Sequence, residues 1–143
     1  MIIGFNHTSF TVADLDVAVR FWSRLGFRGP AIVERQGEWV GEATGVPGAR
    51  IRVAHLYGFG HHMEFIEYPD GPRENPAAAP SQPGTGHVCL EVEDIHGVFA
   101  DLLSAGAKPL GKMTDINHAG MAPCSAGYLR DPNGIIIELL EEH

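Results

Sequence analysis

The feature that most narrows what this chain can fold into is a repeat in which the second half restates the punctuation of the first. His7 opens HTSFTVADLDVAVRFWSRLGF, and His87 opens HVCLEVEDIHGVFADLLSAGA. In each, the alternating residues HTSFTV or HVCLEV read as a short strand. An aspartate, Asp14 or Asp94, follows seven residues after the histidine. Its carboxylate suits a helix N-cap, where free backbone N–H groups need acceptors. Beyond it, Leu15, Val19 and Trp22 in one half, and Ile95, Val98, Phe99 and Leu102 in the other, recur at helical spacing. Phe21, Trp22 and Phe99 are assigned to the core, against a sheet. Each helix stops at a glycine, Gly26 or Gly106, nineteen residues after its histidine, where a left-handed C-terminal cap is needed. Matching offsets of this kind indicate duplication.

Each half ends in a strand where a carboxylate interrupts apolar residues: MEFIEY around Glu64 and GIIIELLE around Glu138. Both contain Glu, two apolar residues, then Glu. AIVER and ARIRVAHLY are further strands of the first half; KPLGKM and the Tyr128 region supply them in the second. The unit is a strand, a helix, then about three strands. PDGPRENPAAAPSQPGTG, with five of the ten prolines and no apolar periodicity, reads as an exposed crossover. Each half is too small for a sturdy core, so the 143 residues are expected to form one domain. Module 1 spans about 1–68, the linker about 69–86 and module 2 about 87–143.

A net charge of -8 argues against a phosphate-backbone partner, which favours a basic patch. No apolar run approaches the roughly 18 to 20 residues of a membrane span. MIIGFNHTSF lacks the pattern of a secretory leader, and Cys89 and Cys124 read as free thiols, so a cytoplasmic, reducing location is the expectation.

The repeat singles out one histidine and one glutamate per half. Alternate strand residues share a face, so His7, Ser9 and Thr11 point together, as do His87, Cys89 and Glu91, and His62, Glu64 and Ile66. If the first and last strands of each module are central in a curved sheet, His7, Glu64, His87 and Glu138 face a common cavity. Such nitrogen and oxygen donors, without a thiolate, suit Zn, Ni, Co, Mn or Fe(II), and a six-coordinate ion keeps two positions for water or substrate. Taken singly, each histidine reads as a polar strand residue and each glutamate as a solvent-facing carboxylate. The four matched positions together point to a metal, and Glu138 amid Ile135, Ile136, Ile137, Leu139 and Leu140 would be costly if buried unpaired.

In FNHTSFTVADLDVAVRFW with LGF, HHMEFIEY, GHVCLEVEDI and YLRDPNGIIIELLE, taken in that order, the chain resembles the vicinal oxygen chelate superfamily over nearly its whole length. That superfamily includes glyoxalase I, methylmalonyl-CoA epimerase, extradiol dioxygenases and bleomycin-resistance proteins. The resemblance implies an α+β fold of two paired βαβββ modules forming a cupped, mostly antiparallel sheet with helices outside. It also implies a metal inside the cup and a homodimer. By position it carries the ligand roles onto His7, Glu64, His87 and Glu138, the pattern of the glyoxalase and epimerase branches.

In those branches the metal holds vicinal substrate oxygens and stabilises an enediolate or enolate formed when a carboxylate removes a proton next to a carbonyl. Glu138 and Glu64 are candidate bases. Glu42, in GEWVGEATG, is a third, near where the epimerases place a second-strand glutamate, although TGVPGAR after it departs from their pattern. His62 shares the face of Glu64 and is a candidate for contact with ligands or substrate, while His61 faces away. His118 lies in TDINHAGMAPCSAG, read as a loop near the cavity mouth, and Cys89 reads as a packed side chain. The expected function is metal-dependent lyase or isomerase chemistry on a small thioester or hemithioacetal. Fe(II)-dependent catechol cleavage and non-catalytic binding of a drug or metabolite are the alternatives.

Overall fold

Asp14 and Asp94 cap helices as their positions predict. In the computed structural model, which describes residues 1–73, 78–120 and 122–143, Asp14 Oδ1 accepts from Val17 N at 2.9 Å and Asp94 Oδ1 from Gly97 N at 2.9 Å. Helix α1 runs over Leu15–Arg24 and α3 over Ile95–Ser104. Gly26 (φ 92°) and Gly106 (φ 98°) follow them in the left-handed region, where a β-carbon would be strained. No helix among the described residues is long and apolar enough to cross a membrane.

Two compact units are present, Met1–Asn75 and Pro76–His143, and their boundary falls inside the proline-rich stretch. The part of that stretch at 74–77 lies outside the described residues. In the first unit, β1 (Thr8–Thr11), β2 (Val33–Arg35), β3 (Ile51–Gly58) and β4 (His61–Glu67) form a sheet of order β1-β4-β3-β2. β1 runs parallel to β4, and the other pairs are antiparallel. In the second unit, β5 (His87–Glu91), β6 (Lys108–Pro109), β7 (Thr114–Ile116), β8 (Cys124–Arg130) and β9 (Ile136–Glu142) form the order β5-β9-β8-β6, with β7 also on β8. Again the first strand runs parallel to the last, and the rest are antiparallel. The α+β, mostly antiparallel expectation holds, as two separate sheets.

Period-two alternation decides what each sheet face does. On β4, Met63, Phe65 and Glu67 are buried on the side of α1, where Trp22 packs against Phe65 and Phe27 with ring centroids 5.5 and 5.6 Å apart. On β9, Ile137 and Leu139 are buried with Leu129, Ile95 and Leu102. The second glutamate of each repeated motif turns to the helix side. Glu67 Oε2 accepts from Leu15 N at 3.4 Å, and Glu141 accepts from Asp94 N and Ile95 N at 2.9 and 3.3 Å. Each terminal strand therefore holds the start of its own module's helix, satisfying N–H groups that a helix leaves free.

Three local expectations are corrected. GEWVGEATG, whose Glu42 is expected near a second-strand glutamate of the epimerases, is helix α2 (Glu38–Thr44), entered at Gly37 (φ 115°) and closed by left-handed Gly45 (φ 72°). Val40 drives it onto the sheet by packing in a cluster with Ala49, Ile51 and Val53. Strand β7 lies within the stretch read as a loop. It is held to β8 by its ladder and by the Ser125 hydroxyl, 2.7 Å from Asp115 Oδ1. Strand β1 begins at Thr8, so His7 stands just ahead of it.

Candidate functional site

The sheet face opposite α1 carries the chemistry of the first unit. Glu64 on β4 has two cross-strand partners, Ser9 on β1 and His55 on β3. His7, two residues before Ser9 and on the same side, brings its Nε2 to 3.4 Å from Glu64 Oε1. From the other flank, His55 Nε2 lies 3.7 Å from Glu64 Oε2. His55 Nδ1 is 3.0 Å from His62 Nε2, and the His62 ring stacks on Tyr57 at 4.4 Å and 19°. His62 is thus half-buried among aromatic rings, and the His7 ring lies 5.2 Å from it.

The second unit repeats this plan with different chemistry. Glu138 on β9 is paired with Cys89 on β5 and Tyr128 on β8, the counterparts of Ser9 and His55. His87, two residues before Cys89, places Nε2 3.1 Å from Glu138 Oε2, and its ring meets Tyr128 edge-on at 5.4 Å. Both carboxylates are mostly shielded from solvent, Glu64 at 15% and Glu138 at 18% side-chain exposure. Desolvation, followed by the hydrogen bond to Glu138 and its charge, pushes the Tyr128 hydroxyl up to about 12. Desolvation, then the charge of Glu138 and a hydrogen bond to it, pushes the Cys89 thiol up to about 11. Both groups stay protonated at neutral pH and so serve Glu138 as donors.

In each unit the histidine and the glutamate that the repeat singles out lie within 3.4 Å of each other. Among the described residues, no three His, Cys, Asp or Glu side chains are gathered so as to hold a metal ion. The donor chemistry nonetheless fits a divalent cation. His7 Nδ1 lies 2.7 Å from Asn6 Oδ1, which can only accept, so Nδ1 carries the proton. In a neutral ring Nε2 then turns its lone pair toward Glu64 Oε1, and the two would hold a cation between them. A ligating histidine commonly has its other nitrogen held in this way.

Glu42 lies on the exposed side of α2, and no hydrogen bond or ion pair ties it to these pairs among the described residues. His61 and His118 are exposed, and Cys89 is exposed where a packed side chain was expected. Met121, in the same stretch as His118, lies outside the described residues. Sequence reading missed His55 and Tyr57. Their signal was the two-residue loop Phe59 (φ 52°) and Gly60 (φ 76°) between paired Gly58 and His61, a type I′ hairpin turn that sets His55 opposite Glu64.

The family model of the glyoxalase/bleomycin resistance protein/dioxygenase superfamily matches residues 4–139. The chain belongs to this superfamily. Within curated relatives it is 32% identical, over 97% of its own length and 98% of the relative's, to an ethylmalonyl-CoA/methylmalonyl-CoA epimerase from Cereibacter sphaeroides. A glyoxalase family protein from Bacillus cereus superposes with a TM-score of 0.84 at 25% identity, covering 99% of this chain and 95% of that one. A fosfomycin resistance protein from Listeria monocytogenes, solved with Mn(II) and a dihydroxypropylphosphonic acid, gives 0.61 at 12% identity, covering 97% and 90%. At that identity the likeness shows the superfamily fold alone.

Proposed function

We propose that this chain is a divalent-metal-dependent isomerase or lyase of the epimerase or glyoxalase type. It moves a proton at the carbon next to the carbonyl of a small acyl thioester or hemithioacetal. The observation that carries this reading is the His–Glu pair recurring at the same sheet register in both units, His7 with Glu64 and His87 with Glu138. Full-length similarity to an acyl-CoA epimerase favours the thioester.

His7, Glu64, His87 and Glu138 are the proposed ligands of one ion, which is Zn, Ni, Co, Mn or Fe(II) by donor type. When bound, the metal supplies Lewis-acid polarisation of the substrate carbonyl and so acidifies the neighbouring C–H. His7 and His87 would hold the ion through Nε2, the nitrogen that lies beside each glutamate, and at His7 the other nitrogen is held by Asn6 Oδ1. Glu64 and Glu138 accept and return the proton. Tyr128 and Cys89 keep Glu138 hydrogen-bonded from both flanking strands. Glu42, out on α2, takes no part.

The test is solvent exchange. Metal-loaded protein in D2O with methylmalonyl-CoA or ethylmalonyl-CoA is expected to place deuterium at C2, read by mass spectrometry. Exchange should survive in Glu42→Gln and be lost in Glu64→Gln, in Glu138→Gln and after chelation. Failure of the loaded protein to exchange any thioester or hemithioacetal would contradict the proposal.

A further inference from the structure

The two oxygens of Glu64 face unlike neighbours. Oε1 meets His7 Nε2, whose proton is on the far nitrogen. Oε2 is 3.7 Å from His55 Nε2. The His55–His62 contact of 3.0 Å needs one donor and one acceptor. Were His55 Nδ1 the donor in a neutral ring, Nε2 would turn a bare lone pair toward the carboxylate. With His62 Nε2–H donating to His55 Nδ1, the His55 proton is instead on Nε2, on the Glu64 side, 3.7 Å from Oε2 and beyond direct hydrogen-bond length. For neutral rings beside an ionised Glu64, only the second order makes both the His62–His55 and the His55–Glu64 contacts attractive. His62 is itself fixed by its stack on Tyr57.

We infer that His55 is a positioning residue: held by His62, it sets its Nε2 beside the outer oxygen of Glu64 and leaves Oε1, beside His7, for the ion. The inference rests on the metal reading above and adds a residue pair that is specific to the first unit. At the same register the second unit has Tyr128 opposite Glu138, and at the place of His62 it has the buried apolar residue Ile136. Only the first-unit carboxylate is steered by a two-imidazole chain. Outer partners of this kind commonly change metal affinity about 10- to 100-fold when removed.

The experiment is Co(II) titration of the full chain, with affinity and the visible absorption of bound Co(II) as readouts. His55→Phe is expected to lose affinity about 10- to 100-fold and to shift the spectrum. His55→Gln, which keeps an N–H donor, should recover most of the affinity. His62→Phe, which keeps the stack on Tyr57 but no donor, should weaken binding in the same direction. Wild-type affinity and spectrum in folded His55→Phe would overturn the inference while leaving the metal reading intact. If His55→Phe does not fold, an unchanged His62→Phe overturns it equally. A wild-type chain that binds no Co(II) overturns the metal reading and this inference with it.

Discussion

Glu64 and Glu67, three residues apart on β4, face opposite sides of their sheet. Glu64 meets the imidazoles of His7 and His55; Glu67 meets Arg52 at 2.7 Å, Arg73 at 2.6 Å and the start of α1. The two carboxylates should therefore fail differently. Glu67→Ala removes an acceptor shared by Arg52, Arg73 and Leu15 N, while Arg52 keeps Asp16 and Arg73 keeps the Ala13 and Pro69 carbonyls, and is expected to cost about 1 to 2 kcal/mol in urea unfolding. Glu64→Ala is expected to leave stability nearly unchanged and to abolish tight metal binding. Retention of iron together with catechol cleavage in Glu64→Ala would instead favour a three-ligand dioxygenase.

The same contrast applies to Glu138 and Glu141. Glu141 accepts two backbone N–H groups at the start of α3, so Glu141→Ala is expected to cost about 1 kcal/mol, the scale of a lost helix cap. Thermal unfolding checks this.

Much of this was legible from the sequence because it depends on spacing within one element. The offsets from His7 to Asp14 and Gly26, repeated from His87 to Asp94 and Gly106, gave both helices with their caps. Strand alternation gave the shared face of His62 and Glu64. What the sequence hid depends on pairing between elements. His55 enters the site only through hairpin register, and α2 forms because a single buried residue, Val40, packs on strands that come later in the chain. Strand β7 is three residues long and exists through its ladder with β8.

Cys89 supplies a pH test on chelator-treated protein. Its pKa is raised, so the reactive thiolate is scarce at neutral pH and grows tenfold per pH unit until about 11. Iodoacetamide labelling of Cys89 should therefore be slow at pH 7 and climb through pH 10. Glu138→Gln removes a neighbouring negative charge, lowers that pKa and should speed labelling near neutrality. Equal rates in the two proteins would contradict the assigned cause.

Gly29 tests the backbone behind His55. A β-carbon there would lie 1.7 Å from the His55 carbonyl oxygen, so Gly29→Ala must displace β3. It is expected to be destabilising by several kcal/mol, on the scale of severe core overpacking, and to weaken metal binding in whatever fraction folds.

Ile2, Ile3 and Phe5 stand fully or largely exposed just ahead of the edge strand β1. Apolar side chains beside an open edge favour association. Light scattering is expected to give a homodimer, about twice the 15.4 kDa chain, and Ile3→Ser with Phe5→Ser should shift it toward monomer. A monomeric wild type would contradict this.

The central claim is that His7, Glu64, His87 and Glu138 hold one ion. Metal content per chain, measured after purification without chelators and reloading with Co(II) or Zn, tests it most directly. The expected result is one ion per wild-type chain, and none retained in either His7→Ala or His87→Ala. A wild-type chain that stays empty under metal-replete conditions, or one ion retained in both variants, would contradict it.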